Sequence, residues 1–91
     1  KSANVACLDV DKLQYPLVLR RWKRGDWFIP YGMKGRKKLS DFFADKKMNL
    51  IEKERVWLLA SGDDIVWVVG HRVDPRYAVT EKTKRVKIFT L

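Results

Sequence analysis

His71 is the only imidazole and Cys7 the only thiol in this 91-residue chain. A lone histidine excludes a two-His zinc helix, and a lone cysteine excludes both an internal disulfide and a Cys-based zinc cage. Cys7 lies in the apolar run Val5-Ala6-Cys7-Leu8 with no neighbouring base, the setting of a buried, inert thiol. His71 stands at the end of an apolar run and reads as structural or merely exposed. Asp63-Asp64 could hold a divalent ion, but adjacent acids in a hairpin turn are ordinarily just solvated. There is no G-x-x-x-x-G-K-[ST] phosphate loop and no G-x-G-x-x-G fingerprint. The Gly32-x-x-Gly35 spacing matches a KH-type clamp, yet the helix–loop–helix pattern expected around such a clamp is missing. No catalytic or metal-ligating constellation is present, so independent catalysis is not expected.

Cations are the functional groups present in quantity. Twenty Lys and Arg against eleven Asp and Glu leave a net charge of +9, which points to a polyanionic partner. Eight of them (Arg20, Arg21, Lys23, Arg24, Lys34, Arg36, Lys37 and Lys38) fall between Arg20 and Lys38 against one acid, Asp26. Five more (Arg76, Lys82, Lys84, Arg85 and Lys87) fall between Arg76 and Lys87 against Glu81. The stretch from Asp41 to Asp64 is slightly acidic. Trp22, Trp27, Phe28 and Tyr31 interleave the first block, as in surfaces that bind nucleic acid. The candidate RNA contacts are the eight cations of the first block with Lys84, Arg85 and Lys87 of the second. The alternative is a solvated, Lys-rich surface. In a domain this small the two blocks are expected to merge into one positive face. Phosphate neutralisation there would be salt-sensitive, with log K falling by about 0.9 per log unit of salt for each contact on a B-form duplex.

The elements that must position these groups are mainly strands. Residues 1–14 carry a short first strand, with Val5 and Cys7 on one face and Ala6 and Leu8 on the other, and a turn at Asp9–Lys12. Pro16 then leads a second strand over Leu17–Trp22. Gly25-Asp26 is a turn, and Trp27-Phe28-Ile29 is a short extended piece stopped by Pro30. The loop Tyr31–Lys38 is basic at four of its eight positions, and Gly32 and Gly35 permit close backbone approach to a phosphate chain. Leu39, Phe42 and Phe43 at i, i+3 and i+4 predict a helix over about Lys38–Lys46 with these three in the core. Asn49 and Glu52 have capping-box spacing and predict a helical turn over Leu50–Glu54.

Val56–Ala60 and Ile65–Val69, joined by Ser61-Gly62-Asp63-Asp64, predict a β-hairpin. Their nearly continuous apolar character implies burial on both faces and a central position. Gly70-His71-Arg72 ends the hairpin, Asp74-Pro75 turns the chain, and Val79–Leu91 reads as a last long strand. Its Val86 and Ile88 are expected on the buried side, with Arg85, Lys87 and Phe89 opposite. The fold class is α+β and β-rich: a small mixed or antiparallel sheet domain with one or two short helices.

Hydrophobic residues at 46% and charged residues at 34% fit one folded domain over residues 1–91. The longest apolar runs are five residues, too short for a membrane-spanning helix. Lys1-Ser2-Ala3-Asn4 leads into no apolar h-region, so no secretory signal is expected. With one cysteine, a reducing compartment is expected. A chain opening at Lys1 without an initiator methionine is expected to be a domain of a longer protein.

Leu17-Val18-Leu19-Arg20, Gly25-Asp26, Pro30-x-Gly32, Lys37-Lys38-Leu39-Ser40-Asp41-Phe42-Phe43 and Arg55, followed by Val66-Trp67-Val68-Val69-Gly70-His71-Arg72, form an ordered set of short motifs. Together they resemble the C-terminal domain of bacterial tRNA(Ile)-lysidine synthetase, over about Leu17–Tyr77. One departure follows Arg55, where a proline is expected and Leu58-Leu59 stand. The resemblance implies a parent enzyme that activates the wobble cytidine of an isoleucine tRNA with ATP and joins lysine to it in the cytoplasm. It places catalysis, ATP and magnesium in an N-terminal domain with a Ser-Gly-Gly-x-Asp-Ser motif, which these residues lack, so no cofactor is expected in this chain. It implies tRNA binding at the acceptor stem as this domain's task, and a fold similar to a domain of the phenylalanyl-tRNA synthetase β subunit. Arg20 either faces RNA or pairs with Asp26; Gly25, Pro30 and Gly32 set the shape of the chain.

The alternative function is a structural module that docks on the parent's other domains or forms a homodimer. It predicts an exposed apolar patch around Trp22 and Trp27.

Overall fold

The computed structural model describes residues 3–91; Lys1 and Ser2, the start of the expected 1–14 segment and of the expected 1–91 domain, lie outside the described residues. In chain order the elements are β1 (Val5–Asp9), β2 (Leu17–Arg21), β3 (Trp27–Phe28), β4 (Lys37–Lys38), α1 (Leu39–Asp45), α2 (Leu50–Arg55), β5 (Trp57–Ser61), β6 (Asp64–Val68), β7 (Arg72–Val73) and β8 (Val86–Thr90). Short 3-10 turns occupy Val10–Lys12 and Pro75–Tyr77.

The β5–β6 hairpin lies at the centre, as its two-sided apolar pattern requires. β2 pairs with the free side of β5 and β7 with that of β6, giving a four-stranded antiparallel sheet in the order β2-β5-β6-β7. Ser61 pairs with Asp64, so the turn itself is Gly62-Asp63, two residues rather than the expected four. Gly62 has φ +57°, which favours glycine at this turn.

Each face of this sheet carries its own apolar cluster. Leu58, Ile65 and Val68 meet Phe28, Leu39, Phe42 and Phe43 on one side. Leu59, Val66 and Trp67 meet Ala6, Leu8 and Tyr77 on the other. The register shifts between Leu59↔Trp67 and Ala60↔Ile65, leaving Val66 as an extra residue. That bulge is why consecutive residues Val66 and Trp67 share one cluster despite the strand's period of two. The domain thus has three layers: the β3–β4 ribbon with α1, the central sheet, and a ribbon of β1 with β8.

α1 forms where predicted, with Leu39, Phe42 and Phe43 buried. Its first amide donates to the Asp26 carbonyl at 2.9 Å, which ties it to the Gly25-Asp26 turn. α2 begins with the full capping box, Asn49 Oδ1 accepting from the Glu52 amide at 2.8 Å and Glu52 Oε1 from the Asn49 amide at 2.9 Å.

The C-terminal segment departs from expectation twice. The last strand is Val86–Thr90, not Val79–Leu91. Upstream of it, the Thr80 amide donates to Thr83 Oγ1 at 2.8 Å, and that hydroxyl donates to Asp9 Oδ2 at 2.9 Å. These threonine-centred bonds make a turn that competes with strand pairing. The faces of β8 are also reversed. Ala6 is fully buried and pairs with Phe89, so the register turns Phe89 toward the core and leaves Val86 and Ile88 outside. Cys7, paired with Ile88, lies on that uncovered outer face and is partly exposed rather than buried.

Candidate nucleic-acid interface

The β3–β4 ribbon has two unlike faces. Trp27 pairs with Lys38 and Phe28 with Lys37, so the pleat sends Phe28 and Lys37 inward and Trp27 and Lys38 outward. Arg36, two residues before Lys38, shares the outer face, and its guanidinium carbon lies 4.1 Å from the Trp27 ring centroid. Arg76 brings a second guanidinium to within 5.2 Å of the same ring. One indole therefore joins a cation from each basic block.

Arg76 is anchored by Asp74, whose side chain is fully buried. Asp74 accepts from Arg76 Nη2 at 2.8 Å, from the Arg76 amide at 2.9 Å and from the Ile29 amide at 3.1 Å. It thereby links the Pro75–Tyr77 turn to the end of β3. Asp64 lies 3.6 Å from Arg76 and accepts the Tyr77 hydroxyl. Burial, with the Asp64 hydrogen bond and charge, pushes the Tyr77 pKa up to about 12. Hydrogen bonding to Asp74 raises the Arg76 pKa against the opposing effect of burial. Arg36, in contrast, meets no carboxylate within ion-pair distance among the described residues.

The other candidate cations are dispersed. Arg20 forms a bidentate pair with Asp26, at 2.9 and 3.0 Å, and Asp26 also accepts the Lys23 amide at 2.7 Å. Burial alone would raise the Asp26 pKa, but the Arg20 hydrogen bonds, the Lys23 amide and the charges of both residues outweigh it and leave the carboxyl below its ordinary value. Arg20 is thus held within the fold. Arg21, on the opposite face of β2, lies 3.5 Å over the Trp57 ring and donates to the Arg55 carbonyl at 2.6 Å, at the end of α2. Lys23 and Arg24 stand in the exposed turn beside it, and Lys34 at the exposed tip of the basic loop. Lys37 pairs with Asp45.

Lys84, Arg85 and Lys87 belong to the β1–β8 ribbon and its approach, across the central sheet from the Trp27 stack. Arg85 is exposed and pairs with Asp11 at 2.7 Å. The expected single positive face is therefore divided. The two ribbons cover opposite faces of one sheet, and Arg76 alone of the second block crosses to the first.

Three cations outside the predicted set, Lys46, Arg72 and Arg76, also border the β3–β4 side. Arg76 had a sequence signal, the Asp74-x-Arg76 spacing beside a proline turn. Lys46 and Arg72 had none, because only the packing of α1 near β7 makes them neighbours. Trp22 meets Phe43 edge-on with centroids 5.2 Å apart, and Trp27 is covered by the two guanidiniums. The apolar patch expected around these tryptophans is limited to Leu50, 66% exposed, which shares a hollow with Trp22 and the charged Arg21, Lys23, Arg24 and Glu54.

A family profile described as the TilS substrate C-terminal domain matches residues 17–89. A tRNA(Ile)-lysidine synthase of Parabacteroides distasonis is 66% identical over 88 residues, covering 97% of this chain and 20% of the relative. That of Bacteroides thetaiotaomicron is 44% identical over 91 residues, covering 100% of this chain and 21% of the relative. The chain spans about a fifth of the length of these relatives. A crystal structure of a TilS C-terminal domain superimposes with a TM-score of 0.82 at 25% identity, covering 97% of this chain and 68% of that one.

Proposed function

Because the chain belongs to the TilS substrate C-terminal domain family, we propose that it is the non-catalytic tRNA-binding domain of a tRNA(Ile)-lysidine synthase. On this reading the parent enzyme ligates lysine to the wobble cytidine of isoleucine tRNA in the cytoplasm, with ATP and magnesium held in its catalytic domain. This domain grips the acceptor stem, far from the reacting base. Duplex RNA presents phosphates and 2′-hydroxyls across a shallow groove and is read mostly by shape. A rigid, cationic ribbon is suited to that task.

The observation that carries the proposal is the Arg36–Trp27–Arg76 stack, with Lys38 on the same outer face. Cation–π contact fixes the Arg36 guanidinium without using its N–H donors, which stay available for phosphate oxygens. Charge reversal tests it. In a tRNA titration at two salt concentrations, Arg36→Glu with Lys38→Glu should weaken binding at least tenfold. It should also reduce the slope of log K against log salt by about 2, one unit per lost contact. Lys84→Glu with Lys87→Glu, on the other layer, should have a smaller effect. Equal losses from both pairs would refute the assignment to the β3–β4 face.

A second reading is favoured by one feature. Leu17, Leu19, Trp57, Phe89 and Leu91 line an apolar groove along β2, and Leu19 is 56% exposed. This groove is suited to docking on the parent's other domains or on a second copy. Gel filtration beside the tRNA titration separates the readings: concentration-dependent association with no tRNA affinity supports docking alone.

A further inference from the structure

We propose that the hollow bounded by the loop after β3, the end of α1 and β7 is a pocket for one unpaired nucleotide of an RNA. The base would lie against Tyr31 and Met33, and the phosphate between Lys46 and Arg72. This inference rests on the RNA-binding reading but concerns a different surface and a different part of the ligand. The hollow measures about 490 Å³, within the range of small-ligand sites, about 300–1,000 Å³.

Its walls divide into two chemistries. Pro30, Tyr31, Met33 and Phe42 supply apolar lining and Lys37, Lys46 and Arg72 cationic lining, with Lys46 Nζ 5.6 Å from the Phe42 ring centroid. Asp45 also lines the hollow, but it is engaged by Lys37. Lys46 and Arg72 form no ion pair among the described residues, so their charge is available to an anion. Tyr31 is 72% exposed and Met33 49% exposed, and the Tyr31 ring has no aromatic or cationic partner among the described residues.

The charges of both cations also reach His71, which adjoins the hollow without lining it. His71 meets Phe42 edge-on with centroids 5.9 Å apart. Burial lowers its pKa, and the charges of Lys46 and Arg72 lower it further. A phosphate bound beside these two cations would offset their effect on His71.

The apolar wall distinguishes a nucleotide from a bare phosphate. A base within a duplex has both faces covered by its neighbours, whereas an unpaired base offers a face to an aromatic side chain. Trp27 cannot serve, since two guanidiniums flank its ring; Tyr31 can. The pleat also separates the sites, turning Lys37 toward the hollow and Arg36 and Lys38 toward the outer face.

Three probes test the proposal on the 91-residue chain: a blunt RNA duplex, the same duplex with a three-nucleotide single-stranded extension, and adenosine 5′-monophosphate. By anisotropy, the extension should tighten binding about ten- to a hundredfold, the usual span for one stacked base. Tyr31→Ala should abolish most of that gain while leaving blunt-duplex affinity unchanged, Tyr31→Phe should retain it, and Arg72→Gln should reduce the gain by more than it weakens blunt-duplex binding. The His71 midpoint, followed by NMR, should rise when the extended RNA binds. No gain from the extension, or a gain that survives both substitutions, overturns the proposal. If the blunt duplex fails to bind but the extended RNA binds through Tyr31, the duplex reading falls and the pocket stands. Binding of the mononucleotide at Tyr31 with no gain from the extension overturns the RNA assignment in favour of a free nucleotide.

Discussion

Replacing Asp74 with asparagine preserves its shape and removes one acceptor together with the charge. Asp74 is fully buried, and its two oxygens accept from the Ile29 amide, the Arg76 amide and the Arg76 guanidinium. In Asp74→Asn one oxygen becomes an NH2 group. If it replaces Oδ2 it faces the Ile29 amide and Arg76 Nη2; if it replaces Oδ1 it faces the Arg76 amide and Nε. Either way a charge-assisted bond is lost, at about 1.5–3 kcal/mol, and a backbone donor loses its partner, at about 1–3 kcal/mol. Relaxation and the partial exposure of Arg76 place the expected loss near the low end, at about 3 kcal/mol. A domain of this size has roughly 5–14 kcal/mol of stability in all, so the urea midpoint should fall clearly with m unchanged. The indole N–H signal of Trp27 should shift as Arg76 is released. A loss below about 1 kcal/mol, with the Trp27 signal in place, would mean that Asp74 does not hold β3 to the Pro75–Tyr77 turn.

Two further perturbations probe the layers around the site. The His71 pKa in the folded protein lies below its ordinary value, about 6.5, through burial and then the charges of Lys46 and Arg72. The unfolded chain therefore takes up the proton first as pH falls. The associated stability is complete above about pH 6.5 and declines as pH falls through 6.5 toward the folded midpoint; His71→Gln should flatten that part of a urea-midpoint-against-pH curve, and an unchanged slope would contradict the assignment. Asn49→Ala removes the Glu52 amide's acceptor in the α2 capping box and should cost about 1 kcal/mol in urea unfolding, whereas a neutral result would show that α2 is held by other contacts.

Local signals were legible in the sequence. The i, i+3, i+4 spacing of Leu39, Phe42 and Phe43 locates α1 and its buried face within a residue or so, and Asn49 with Glu52 marks the start of α2. Two five-residue apolar runs identify the central hairpin, because a strand covered on both faces has nowhere to place polar side chains. The faces of β8 were not legible. Val86, Ile88 and Phe89 are all apolar, and only the pairing of Phe89 with fully buried Ala6 decides which side turns inward. Cys7 shows the same effect: its apolar run reads as core, yet alternation in a ribbon covered on one side leaves it partly exposed.

Charge placement was the least legible property, for a related reason. Arg20 and Arg21 are adjacent in sequence, but the pleat of β2 aligns one with Leu58 and the other with Trp57, on opposite faces of the sheet. Ion pairing leaves the net charge of +9 unchanged, since each pair removes one charge of either sign from consideration. What the fold decides is which cations remain available. Arg76 has two carboxylates near it that offset its charge, and its guanidinium lies 5.2 Å from the Trp27 ring centroid. Arg36 makes no hydrogen bond or ion pair among the described residues and is positioned through its contact with the ring. A guanidinium oriented by an indole face retains its planar array of N–H donors for a bidentate anion. On the RNA-binding reading the attraction at this face would rest on Arg36 and Lys38, with Asp74, Arg76 and Trp27 supporting them, although only two of those five stood among the candidates read from the sequence.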